Sequence, residues 1–268
     1  MDEKEFLATY SAAEFEKPSV TTDILVLGVN ADISRLKMLL IKRGAHPFLG
    51  SWALPGGFIA KNETAYQAAK RELEEETGLK NVYLDQIYTF TNPNRDPRTW
   101  VMSIAYLALV SELAAVKGDD DAADAAWFDL CIDGETIRIT SAEKGVDIAY
   151  KIEKKTFQNG KIRYENWVSE KISESALAFD HIEIIIEAYL KLKSQFSHTD
   201  LAFNLAGDFF TLPDLQAIFE LVLGKKLYKT NFRAMVMEKI TATGEKRKSL
   251  TSGKLSAEYT YKKQVSAK

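Results

Sequence analysis

The sequence predicts an α/β chain, an α/β/α sandwich followed by a winged helix-turn-helix, with domains at 1–197 and 198–268. Three observations carry this. Apolar strand-like runs surround one acidic, helix-forming stretch. A second long amphipathic stretch follows at Ser175 to Lys193 and can cover the other face of a sheet. Past Phe203 the texture changes to helix, short turn, helix and alternating strand.

In chain order, Asp23 to Asn30 reads as a buried strand and Leu36 to Lys42 as its hairpin partner. The Gly- and Pro-rich loop HPFLGSWALPGGF leads into residues 57–79, where Ala, Glu, Lys, Gln and Leu favour helix and Gly78 is placed to stop it. Val82 to Phe90 and Trp100 to Leu109 read as strands flanking the polar loop TNPNRDPR, and Ala126-Trp127-Phe128 begins another. Two alternating segments then flank Gln158-Asn159-Gly160, a strong hairpin signal. The hairpin is expected to serve dimerisation or to cover a site.

Residues 57–79 carry the chemistry. On a helix, positions three and four apart share a face, so Glu72, Glu75 and Glu76 are expected to converge while Leu73, Ala65 and Ala69 turn inward. Three carboxylates together repel one another and become tolerable around a hard divalent cation, which takes oxygen ligands, waters and substrate phosphates. Arg71 is expected to orient a neighbouring carboxylate. An acidic run by itself is usually a solvated face. Gly57, Glu63, Arg71, Glu72, Leu73, Glu75, Glu76, Gly78 and Leu79 in the order G-x5-E-x7-R-E-L-x-E-E-x-G-L make this one different.

That order resembles the signature of the Nudix hydrolases, which cleave nucleoside diphosphates linked to another group with Mg²⁺ or Mn²⁺. The resemblance implies the sandwich fold, with Glu72, Glu75 and Glu76 holding metal and Arg71 and Glu63 supporting them. Gly57, Arg95 and Arg98 are expected at the substrate. Glu76, or an acid from the Asp119-Asp120-Asp121 region or a later loop, is a candidate general base. His181 is read as structural, and His46 and His198 receive no role.

Thr211-Leu212-Pro213-Asp214 has the form of a helix start, and Tyr228 to Lys239 reads as a second helix with Phe232, Met235 and Val236 inward. Lys229, Thr230, Asn231 and Arg233 on its outer face, and Lys246, Arg247 and Lys248 near the wing, are the expected nucleic-acid contacts. Residues 224–268 hold 12 Lys and Arg against 3 Glu, a net of +9, while the rest of the chain nets −12. A basic tail on an acidic body suits double-stranded DNA, and equally a solubilising surface. The whole arrangement is similar to the Nudix-related transcriptional regulators of bacterial NAD metabolism and sugar use. It implies ADP-ribose or a related sugar as ligand, and a homodimer.

Two functions therefore follow as expectations, beside a third in which a hydrolase uses its tail for protein contacts alone. The first is Mg²⁺-dependent cleavage of ADP-ribose or a similar nucleoside diphosphate sugar. The second is a DNA-binding regulator whose Nudix domain senses that ligand. Cys131 is the only cysteine, which excludes an intramolecular disulfide. With no signal-peptide pattern and no run long enough to span a membrane, a cytoplasmic location is expected.

Overall fold

A computed structural model describes residues 2–11, 15–113 and 122–262. Among these, no helix is long and apolar enough to cross a membrane.

The architecture is built around strand β1 (Ser19–Val29), whose inner residues are almost all buried. It pairs antiparallel with β2 (Leu36–Arg43) and runs parallel to a later strand at Val101–Leu109. Short strands β3 (Trp52–Ala53) and β4 (Gly56–Phe58) pair with β2 and β1. Helix α1 (Glu3–Thr9) precedes β1 and buries no residue. Helix α2 (Ala65–Thr77) follows β4, and then come β5 (Tyr83–Phe90), β6 (Val101–Leu109), β7 (Ala122–Ile132), β8 (Thr136–Ser141), β9 (Val146–Asn159) and β10 (Ile162–Lys171). The main sheet runs β10-β9-β8-β7-β2-β1-β6-β5.

Alternation along β1 decides which helix covers which face. Ile24 and Val26 pack with Ala69 and Leu73 of α2. Leu25 and Leu27 pack on the opposite side with Ile184, Ile185 and Leu192 of α3 (His181–Phe196). One helix on each face makes the α/β/α sandwich.

Helix α3 starts at His181 and not at Ser175. The residues before it are held extended: the Ala178 N–H donates to the Trp52 carbonyl and the Leu177 N–H to the Tyr150 hydroxyl. The hairpin also differs in detail. Asn159 pairs with Ile162, so Gly160 and Lys161 form the two-residue turn, with Gly160 at φ +59°. Glycine meets the positive φ that the first turn position requires. Strand β8, between β7 and the hairpin, is a further strand, whose alternation buries Ile137 and Ile139.

The tail folds as α4 (Leu212–Leu223), α5 (Lys229–Val236) and a sheet ordered β11 (Phe210–Thr211), β13 (Leu255–Tyr261), β12 (Ile240–Lys248). This is a winged helix. Thr211 caps α4, its hydroxyl accepting the Asp214 N–H. The buried Asp214 carboxylate in turn accepts from Thr211, Ser249 and Thr251, which ties the wing turn to the start of α4. The tail and the sandwich share one hydrophobic core. Phe196 of α3 meets Phe219 of α4 at 4.9 Å between ring centres, and the Tyr189 hydroxyl donates to the Val222 carbonyl at 3.1 Å. Helix α3 thus belongs to both layers of packing.

Candidate active site and nucleic-acid face

A cleft of about 430 Å³ opens where α2, β4, the loop after β2, the loop after β5 and the start of α3 meet. A cavity of this volume accommodates a small-molecule ligand.

Helix α2 aims its acidic face into the cleft with defined ends. Its N-terminus carries a capping box between Thr64 and Gln67, and Gly78 closes the C-terminus at φ +74°. Burial of Ala68, Ala69 and Leu73 fixes the helix rotation. Glu72, Glu75 and Glu76 all line the cleft, but they do not gather at one point. Among the described residues, no three Asp, Glu, His or Cys groups stand close enough to share an ion. Arg71 takes Glu72 and Glu75 on its Nη1, at 2.7 and 3.0 Å, and holds Glu63 through Nε and Nη2 at 3.1 and 2.7 Å. Glu76 is buried and turned the other way, accepting the Gly56 N–H at 2.7 Å. The like charges are shared out between a guanidinium and a backbone N–H.

The electrostatics follow from these contacts. Hydrogen bonds that Arg71 donates to Glu63, then to Glu72, hold its guanidinium firmly charged. Burial pushes the Glu72 carboxyl up, with Arg71 opposing, and the Arg71 hydrogen bond holds Glu63 down. Gly57 sits directly over Glu72: a Cβ there would lie 2.3 Å from Oε1. Gly56, at φ +152°, could carry no side chain, since its Cβ would fall 2.0 Å from the Thr22 carbonyl oxygen. Gly57 lets the β4 backbone pass close to the box helix, and Gly56 lets it pass close to β1.

Beneath the box lies a buried polar floor. Arg95 donates from Nε and Nη2 to Asp180 at 2.9 and 2.7 Å, and from Nη2 to Asp23 at 3.2 Å. Ser103 donates to Asp23 at 2.5 Å. His181 accepts the Leu54 N–H on Nδ1 at 2.9 Å, which leaves Nε2 as the proton-bearing nitrogen, 3.4 Å from Asp23. Burial opposes the Asp23 charge, but His181, Arg95 and Ser103 together hold its carboxyl well below the usual carboxylate range.

Arg95 therefore stands in the floor of the cleft, its guanidinium shared by two carboxylates. Arg98 lies nearer solvent, bidentate to Asp96 through Nε and Nη2. Sequence reasoning missed Asp23, Arg43, Phe58, Phe179 and Asp180, and gave no role to His46, all of which lie in or directly beneath the cleft. No local pattern marks most of them. Asp119, Asp120 and Asp121 lie outside the described residues.

On the tail, Lys229, Thr230, Asn231 and Arg233 are all exposed on α5, as are Lys246, Arg247 and Lys248 on β12. Among the described residues only Arg247 of this set makes an ion pair, to Glu258 at 2.8 Å.

Residues 20–131 match the NUDIX domain family and residues 202–261 match the NrtR DNA-binding winged helix domain. A solved MutT/nudix family protein from Enterococcus faecalis superposes with a TM-score of 0.79 at 31% identity, covering 98% of this chain and 94% of that one. The chain belongs to the Nudix family. This Nudix protein is also 29% identical to the ADPR responsive transcriptional repressor NtrR of Acinetobacter baylyi, over 88% of this chain and 79% of that protein. It is 45% identical to an ADP-ribose pyrophosphatase of Methanocaldococcus jannaschii, over 35% of this chain and 55% of that protein. The first of these relatives spans both domains, whereas the second aligns with about a third of the chain.

Proposed function

We propose that the Nudix cleft binds ADP-ribose or a similar nucleoside diphosphate sugar, that the box cleaves its diphosphate with Mg²⁺ or Mn²⁺, and that the winged helix binds double-stranded DNA. The domain boundary is placed between Ser197 and His198, with the protein acting as a homodimer. The observation that carries the reading is that Gly57, Arg71, Glu72, Glu75 and Glu76 of the box line the same cleft as Arg43, Arg95 and Arg98.

The donor set fits a hard divalent cation. Glu72, Glu75 and Glu76 offer only carboxylate oxygens, and the missing Cβ of Gly57 lets the Glu72 carboxylate pack against the β4 backbone at the cleft. These three residues would hold the ion by turning Glu72 and Glu75 from Arg71 and Glu76 from the Gly56 N–H, and the ion when bound would neutralise phosphate charge and make a coordinated water more acidic. Arg71 orients Glu72 and Glu75 for that task. Arg95 and the His181 imidazole brace the floor, and Arg98 and Gly57 border the ligand. Hydrolysis adds water across the P–O–P linkage, breaking one P–O bond and forming another, so ADP-ribose yields two phosphomonoesters. Glu76, once released from the Gly56 N–H, is one candidate to take the proton of the attacking water, and an acid of the Asp119-Asp120-Asp121 region or of a later loop is the other.

A second reading keeps the ligand site and the winged helix but no turnover. What favours it is that Arg71 and Gly56 already occupy the box carboxylates, and that the long alignment is to a repressor. ADP-ribose titration with Mg²⁺, following AMP release and binding together, separates the two. Binding with AMP release supports the hydrolase, binding alone supports the sensor, and neither event removes ADP-ribose as the ligand.

A further inference from the structure

Phe179 is the residue in the cleft whose conformation most needs a reason. Its backbone stands at φ +50°, a region that a bulky residue seldom occupies. Both flanks hold it there. Ala178 is bonded to Trp52 on one side, and on the other Asp180 is tied to Arg95 and His181 to Leu54. Strain persists only where the surroundings over-determine it, and such positions cluster at ligand sites.

The effect is to place one ring among three loops. The Arg43 guanidinium, from the end of β2, stands 4.8 Å from the ring centre. The Arg98 guanidinium, from the loop after β5, stands 5.8 Å from the same ring and 5.6 Å from that of Phe58. Phe48, itself at φ +61°, meets Phe179 edge-on at 4.7 Å. Each guanidinium is further braced, Arg43 by donating Nε to the Pro47 carbonyl and Arg98 by Asp96. Aromatic faces attract and orient guanidinium planes. An oriented guanidinium matches phosphate oxygens with a planar fork that a lysine lacks.

We infer that Phe179 is a specificity-determining positioning residue, whose ring sets Arg43 and Arg98 as a pair of guanidiniums for the diphosphate of the ligand. This rests on the proposed nucleoside diphosphate reading of the cleft. The clamp selects for two linked phosphates over one, because each guanidinium can then meet its own phosphate. It acts through charge and geometry that the metal does not supply, so its contribution persists in EDTA.

The test is calorimetric titration in EDTA with ADP-ribose, ADP and AMP, for the full chain and for Phe179→Leu, Phe179→Tyr and Arg43→Gln, with thermal melts beside each. Loss of a charged hydrogen bond corresponds to roughly tenfold in affinity. Phe179→Leu and Arg43→Gln should therefore weaken ADP about tenfold and shrink the preference for ADP over AMP, while Phe179→Tyr restores both. Unchanged ADP affinity and unchanged preference in Phe179→Leu would overturn the clamp. If Phe179→Leu melts too low to titrate, Arg43→Gln decides by the same criteria. ADP binding that depends on the clamp without ADP-ribose binding would keep the clamp and remove the proposed ligand. No binding of any probe by the unaltered protein would overturn both.

Discussion

The box helix α2 and the exposed helix α5 carry charge in opposite ways. On α2, one arginine is shared by three glutamates and a fourth glutamate is held by a backbone N–H. On α5, Lys229 and Arg233 stand exposed and, among the described residues, without an ion pair. The first arrangement fixes geometry and suits a ligand whose atoms must be placed. The second leaves cations hydrated and free to exchange counterions for phosphates along a backbone. Charge alone does not distinguish a catalytic face from a nucleic-acid face; the partners that each charge already has do.

The comparison breaks most visibly if the internal network is cut. Arg95→Met leaves Asp180 without its guanidinium partner and Asp23 with Ser103 and His181, and losing one partner of a buried pair costs about 3–5 kcal/mol. Urea unfolding should show that loss, whereas Lys229→Ala and Arg233→Ala should each leave stability within about 0.5 kcal/mol. The network also has a pH signature. Asp23 has a folded pKa depressed below its unfolded value, so its contribution is present above about pH 4 and is lost as pH falls through the lower folded value. Asp23→Asn should flatten that acid limb of the stability curve.

A smaller effect tests the glycine contact. Gly57→Ala pushes a methyl into the Glu72 carboxylate, the mobile end of a side chain, so the melt should move little. Turnover should fall by about tenfold or more, since misplacing a group by an ångström can cost that much. A melt lowered in proportion to activity would instead mark Gly57 as a folding residue. On the winged helix, Lys229→Ala/Arg233→Ala should reduce the slope of log affinity for DNA against log salt by about 1.8, two phosphate contacts at about 0.9 each. An unchanged slope would take α5 out of the interface. A modest loss is expected for Thr64→Ala, which removes the α2 cap and should destabilise by about 1 kcal/mol in the same urea assay.

The fold was legible where periodicity is strong. The β1 and β2 hairpin, the box helix, α4 and α5 follow from alternation and helical spacing. The start of α3 was not, because Leu177 and Ala178 are held extended by Tyr150 and Trp52, far away in sequence. The same holds for the site. Residues on α2 share one helix, so their spacing announces them. Asp23, Arg43, Phe179 and Asp180 come from three separate segments and meet only after the sheet has formed. Convergence of the three glutamates was read from helical spacing alone, which takes no account of Arg71 and Gly56 competing for the same oxygens.

The most direct test of the account is AMP release from ADP-ribose with and without Mg²⁺, in the unaltered protein and in Glu75→Gln/Glu76→Gln. The account predicts metal-dependent turnover that falls by about 10²-fold or more in the double variant, since several kcal/mol of transition-state stabilisation are removed. Tight ADP-ribose binding with no metal-dependent AMP release in the unaltered protein would contradict it, and would make the box a ligand cradle serving the winged helix.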